Sequence, residues 1–170
     1  MLNETDLIII PGADGYKVTV SGRANFEYAV PLRELANSEA PLTALQIDLA
    51  QCTAMDSTFM GVLTMLALKL RRSQRQVEIF NASTILQKLL AELGIAKLFV
   101  FKTGSINAGA GAVGLGKSAM LTQAETIVEA HEALTQADRT NAERFAQVIE
   151  LSRQETEKLR QQSAAEKQSK

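Results

Sequence analysis

The sequence predicts an α/β fold in which a mixed sheet is flanked by helices, with a helical extension at the C-terminal end. Three observations predict it. Short apolar runs alternate with helical periods through Thr103. The links between them are short, as they are where strands and crossover helices share one core. Composition then breaks at a Gly/Ala stretch, residues 104–119, beyond which no Gly or Pro occurs. The expected organisation is a domain over 1–103, a linker over 104–119, a helical extension over 120–162 and a disordered tail over 163–170.

Taken in order, Leu7 to Ile10 is a short strand, and Gly12-Ala-Asp-Gly15 is a hairpin-type turn. Tyr16, Val18 and Val20 alternate with Lys17, Thr19 and Ser21, which marks a half-buried strand. Phe26 to Ala36 carries a weak helical period and closes before Pro41. Leu45, Ile47 and Leu49 alternate with Gln46 and Asp48, again giving one apolar face. Phe59, Val62, Leu63, Leu66 and Leu70 form a core-facing helix stripe. Val77 and Ile79 belong to a fourth strand. Thr84 and Gln87 have capping-box spacing before a Leu-rich helix, and Gly94 fits its C-terminus. Leu98 to Phe101 is the last strand. The resulting order is β-β-α-β-α-β-α-β, and the alternating strands leave one sheet face less deeply covered.

The bulk numbers exclude several function classes. Net charge is −1 with pI ≈ 5.9, which lacks the basic excess of a nucleic-acid binder. Trp is absent and aromatic residues make up 5%, so there is no platform for stacking bases. One cysteine, Cys52, permits no internal disulfide and fits a reducing compartment. With one His and one Cys there is no ligand set for a His/Cys metal site. No signal peptide and no membrane-spanning run is visible, so the expected location is the cytoplasm, with no membrane insertion. No cofactor is expected.

Met55-Asp56-Ser57-Thr58 joins the third strand to its helix. That junction offers free backbone N–H groups and the positive end of a helix dipole. An unmodified Ser57 there is expected to cap the helix. A phosphoryl group there would add nearly two negative charges. The segment Asp56-Ser57-Thr58-Phe59-Met60-Gly61-Val62-Leu63, followed at family spacing by Ala91-Glu92-Leu93-Gly94-Ile95, resembles the two motifs of the STAS domain. That family includes the bacterial anti-sigma factor antagonists, and the resemblance covers about the first hundred residues. It implies a STAS-like sheet and a non-enzymatic binding protein. It also implies that Ser57 is the serine phosphorylated by a partner Ser/Thr kinase, with Thr58 as a second candidate. The implied partners are an anti-sigma factor or a switch kinase, and a phosphatase that resets the site. The chain departs from the family at Phe59, where a Gly is usual, and at Gly22-Arg23-Ala24-Asn25, where acidic positions are lost. The alternative function is a non-switching STAS subunit of a transporter or other cytoplasmic assembly.

Several further signals have two readings each. Asp56, Met60, Thr64, Leu68 and Arg71 mark out a strip beside Ser57, off the core stripe. It is either a partner-docking face or a surface covered by another helix. Gly111, Gly116, Lys117 and Ser118 fit the P-loop pattern, but no strand leads directly into them and none follows, so a chance match in a linker is the preferred reading. Lys69, Arg71, Arg72 and Arg75 are explained by a helix C-terminal dipole. Cys52 reads as a small buried residue and His131 as solvated. In the extension, Asp138 to Asn141 marks a division into two helices. Those helices either fold back on the domain or form an oligomerisation or partner helix.

Overall fold

The computed structural model describes residues 6–13, 15–106 and 119–170. Five strands, β1 (Asp6–Gly12), β2 (Gly15–Ala24), β3 (Leu45–Met55), β4 (Val77–Phe80) and β5 (Phe99–Lys102), form one sheet in the order β1-β2-β3-β4-β5. β1 and β2 are an antiparallel hairpin, and every later pairing is parallel. The parallel steps are carried by α1 (Phe26–Asn37), α2 (Ser57–Arg71) and α3 (Thr84–Glu92). Right-handed crossovers that all advance in one direction place their helices on one face of the sheet.

Burial follows that geometry. Val18, Val20, Leu45, Ile47, Leu49, Val77 and Ile79 are buried with Phe59, Leu63, Leu66 and Leu70 of α2 in one core. On the opposite face Gln46 and Lys102 both bond Glu78, at 3.0 and 2.9 Å. The uneven covering of the two faces was therefore visible in the strand alternation. The predicted element order holds throughout, although β1 is longer than expected because its pairing with β2 continues to Gly12↔Gly15.

Two local expectations are corrected. The N-cap of α3 is Ser83, not Thr84: Ser83 has extended backbone, and its Oγ accepts from the Leu86 N–H at 3.2 Å. Gln87 does not complete a capping box, and its amide donates to the Ala82 carbonyl instead. At the other end the Ile95 N–H reaches Leu90 O and the Gly94 N–H reaches Ala91 O, both at 3.0 Å. This is a Schellman closure, with Gly94 at φ +70°.

The extension forms two helices, α4 (Met120–Ala137) and α5 (Asn141–Gln168), divided at Asp138–Thr140 as the sequence suggested. They fold back as a third layer over α1 and α2. The tail expected to be disordered, 163–170, is helical as far as Gln168. The absence of any Gly or Pro and the Ala, Glu, Lys and Gln content of the segment suit the continuation. The P-loop-like residues Gly111, Gly116, Lys117 and Ser118 lie outside the described residues.

Candidate functional site

The site begins at the end of β3. The Asp56 N–H donates to Ala24 O at 3.0 Å, which fixes the turn against β2. With φ −90° and ψ 171°, Asp56 is the N-cap of α2, and its Oδ1 accepts from the Phe59 N–H at 2.8 Å. The expectation that Ser57 caps the helix is corrected. Asp56 already holds the amide, and Ser57 is the first helical residue. Burial pushes the Asp56 carboxyl above its ordinary 3.8, against the pull of the Phe59 and Phe26 amides and of His131.

Freed from capping, the Ser57 hydroxyl meets His131 of α4, with Oγ 2.8 Å from Nε2. The other ring nitrogen, Nδ1, lies 2.7 Å from Ile127 O. A carbonyl only accepts, so Nδ1 carries a proton, and in the neutral ring Nε2 is left as an acceptor. Ser57 is therefore the donor. The imidazole is 2% exposed and is flanked edge-on by Phe145 of α5, with centroids 4.9 Å apart. Burial holds His131 below its ordinary 6.5, outweighing the Ile127 carbonyl and Asp56, which favour the charged ring. The reading of His131 as solvated is corrected. Ile127, His131 and Leu134 share one face of α4 at i, i+4 and i+7, and that spacing was the signal available in the sequence.

α4 also decides the fate of the strip along α2. Met60 is 5% exposed and Thr64 fully buried, its Oγ1 donating to Met60 O at 2.9 Å. Neither presents an open face, and α2 packs against this chain's own α4. Gly61 makes the approach possible: a Cβ there would sit 2.3 Å from Ala130 O. Thr58 is also buried, which sets it apart from Ser57, partly exposed. Leu68 is partly exposed on a cleft of about 510 Å³ with Met65, Lys69, Glu129 and Ala133. Arg71 is exposed at the far end of α2, beside Arg75 and Lys97, and so is not brought together with Ser57. Lys69 donates to the carbonyls of Leu35 and Ser38, closing the end of α1.

Two anchors hold the α4–α5 hairpin. Arg33 of α1 grips Glu129 through two bonds at 2.8 and 2.7 Å, and Asn37 adds a third at 2.8 Å. The arginine is driven up and Glu129 driven below its ordinary 4.5 mainly by that mutual hydrogen bonding. At the opposite end Asn141 donates to both Leu93 O and Leu134 O at 2.9 Å. Cys52 is buried, as read, and its thiol is pushed up by desolvation. Among the described residues no group of three or more His, Cys, Asp or Glu is placed to hold a metal, and no helix is long and apolar enough to cross a membrane.

Comparison with known proteins gives one family match. Residues 13–101, more than half of the chain, match the family model described as "Mlab, STAS domain". No curated protein matches. Among solved structures the chain is similar to the anti-sigma factor antagonist SpoIIAA in its unphosphorylated form, with TM-score 0.49 and 12% identity over 56% of this chain and 86% of that one. The Bacillus cell fate determinant SpoIIAA in its phosphorylated form gives 0.46 and 13% over 57% and 89%. An uncharacterized protein with a SpoIIAA-like fold from Shewanella loihica gives 0.40 and 17% over 63% and 92%.

Proposed function

The chain belongs to the STAS domain family, and from that premise we propose that it is a non-enzymatic regulatory protein of the anti-sigma factor antagonist type, switched by phosphorylation of Ser57. The observation that carries this reading is the division of labour at the head of α2. Asp56 takes the cap, so the partly exposed Ser57 hydroxyl is not committed to the helix backbone. Thr58, its buried neighbour, is set aside as an acceptor.

A phosphoryl group on Ser57 would put close to two negative charges at the helix N-terminus, beside the Asp56 carboxylate. The dipole favours those charges and Asp56 opposes them. A partner seated on this corner in the unmodified state would then face a concentrated anion and its desolvation, and would leave. The partner is an anti-sigma factor or the Ser/Thr switch kinase itself, and a phosphatase resets the site. Because Met60 and Thr64 are buried and α2 packs against α4, such a partner reads the corner around Asp56 and Ser57 rather than the length of α2, or it displaces the hairpin. In cells the protein works in the cytoplasm. Val148 and Leu151 of α5, exposed at 38% and 56%, support a further role of the C-terminal helix in self-association.

Incubation with cognate Ser/Thr kinases, followed by phosphopeptide mapping, tests the switch, and absence of modification at Ser57 would remove it. A Ser57→Asp variant should lose the partner that wild type captures. The second reading, a constitutive STAS subunit of a transporter or other assembly, is favoured by the bond that ties Ser57 to His131. It requires the same variant to capture its partner normally.

A further inference from the structure

We propose that His131 is the general base that takes the Ser57 hydroxyl proton when Oγ attacks a phosphoryl group. The phosphorylatable serine thus carries its own activating residue, 74 positions away in the chain. The biological use of this dyad rests on the reading of Ser57 as a phosphoacceptor.

Three features of the geometry lead there. Oγ is already within hydrogen-bond reach of Nε2, at 2.8 Å, which is the first requirement of a base. The ring is then fixed in the tautomer that can accept. Nδ1–H is held by Ile127 O at 2.7 Å, so a backbone carbonyl fills the orienting place that a carboxylate fills in serine hydrolase triads. Finally, Phe145 and near-complete burial deny the imidazole another pose. A solvated histidine would exchange both nitrogens with water. This one presents a single lone pair to a single hydroxyl.

In the transfer, an Oγ lone pair forms the new O–P bond while the bond from phosphorus to the leaving oxygen breaks. With a nucleoside triphosphate supplied by a kinase, the diphosphate leaves. The hydroxyl proton moves to Nε2, and the resulting imidazolium is favoured by the charge of the Asp56 carboxylate and by the Ile127 carbonyl. On the α5 side its neighbour is the uncharged Phe145 ring. The proton then passes to solvent, and no oxidant or reductant is needed.

A phosphorus electrophile that needs no kinase tests this directly. With a fluorophosphonate probe, the P–F bond breaks, fluoride leaves and Oγ is phosphonylated. Wild-type protein should be labelled at Ser57, as mapped by mass spectrometry and abolished in Ser57→Ala. In His131→Gln, which keeps a polar side chain but no base, labelling should slow by about 100-fold or more. The wild-type rate should hold level above the histidine's titration and fall below it. The His131→Gln rate should instead climb steadily with hydroxide. Equal rates in the two proteins, or no labelling of wild type, would overturn the proposal. Should His131→Gln fail to fold, the ¹⁵N spectrum of intact wild type decides: an Nε2–H tautomer at neutral pH overturns the dyad by itself. Kinase assays keep the two readings apart. Phosphorylation of Ser57 at equal rates with and without His131 leaves the switch standing without this base. His131-dependent labelling with no kinase acting on Ser57 leaves the base standing without the switch.

Discussion

Gly61→Ala is expected to loosen α4 from α2 while leaving the sheet intact. A Cβ at position 61 would lie 2.3 Å from Ala130 O, 2.5 Å from its carbonyl carbon and 2.7 Å from its Cβ, where ordinary contact begins at 3.4 Å. The helices must therefore part by about 1 Å, and two of the three clashing atoms are backbone that no rotamer change can move. Overpacking of this kind costs about 1–3 kcal/mol, and a backbone obstacle puts it near the top of that range. Replacing Gly by Ala inside a helix returns about 1 kcal/mol through propensity. The net destabilisation of about 2 kcal/mol should lower Tm by roughly 4–8 °C for a chain of this size. Hydrogen exchange read by mass spectrometry should show α4 amides less protected by roughly 30-fold, with β2 and β3 unaffected. Ala130→Gly should fail to rescue, since it removes the Cβ but keeps the carbonyl. A variant with raised Tm and unchanged α4 protection would refute the close approach.

Three other outcomes follow from the same contacts. Asn141→Ala removes two buried hydrogen bonds, leaving Leu93 O without the Asn141 donor while Leu134 O keeps only the Asp138 N–H. It should cost about 2 kcal/mol or more in a urea titration, and an unchanged midpoint would contradict the burial. Arg33→Met should destabilise by about 1–3 kcal/mol, held down because Glu129 keeps a third of its side-chain surface exposed and can rehydrate. A double-mutant cycle with Glu129→Gln should return a coupling that shrinks with added salt. Acid should weaken the fold in two stages. His131 is held below 6.5, so its contribution is complete above that pH and drains away as pH falls through its folded value. Glu129 is held below 4.5, so its share is lost further down, as pH falls through its own folded value. Asp56 is raised above 3.8 and acts with the opposite sign, adding stability at low pH that is lost as pH rises through its folded value. Urea midpoints across pH 7.5 to 2 check this, and the first stage should vanish in His131→Gln.

The sheet was legible because its strands and α2 obey single periods, two for Val18/Val20 and Leu45/Ile47/Leu49, and helical for Phe59 to Leu70. The failures are local and share a cause. At both misread helix starts, several hydroxyl or carboxylate residues stand in a row. Asp56-Ser57-Thr58 and Ser83-Thr84 each offer more than one chemically competent cap. Only backbone angles decide which residue is half outside the helix, and extended Asp56 and Ser83 win. His131 is different in kind: the period it shares with Ile127 and Leu134 could have shown its burial, but its partner is 74 residues away, and no local period reports a contact made across a Gly/Ala stretch. The strip of Met60 and Thr64 had the composition of an open docking face and of a helix–helix seam alike. Gly61, with no side chain on the same helix, was the mark of a seam, because close backbone approach is what a mid-helix glycine permits.

That seam changes what a switch at Ser57 has to do. The two family-motif glycines that the sequence singled out, Gly61 and Gly94, both face the hairpin: Ala130 lies over the first and the Asp138 side chain over the second. The hairpin is thus fitted to the same surface features by which the domain is recognised, and Ser57 is bonded to it directly. In the proposed switch, a phosphoryl group on Oγ removes the proton that Nε2 accepts and cannot occupy the 2.8 Å between them. Either His131 takes up a proton and shifts to pair with the phosphate, or α4 gives way. Both routes couple the modification to hairpin docking, and the coupling is reciprocal. Whatever free energy phosphorylation removes from docking, docking removes from phosphorylation at equilibrium. Gly61→Ala, by loosening α4 without replacing Ser57 or His131, should therefore shift the phosphorylation equilibrium, toward the modified form where α4 gives way and away from it where a protonated His131 pairs with the phosphate. The same variant would be indifferent if the Ser57–His131 bond were a bystander.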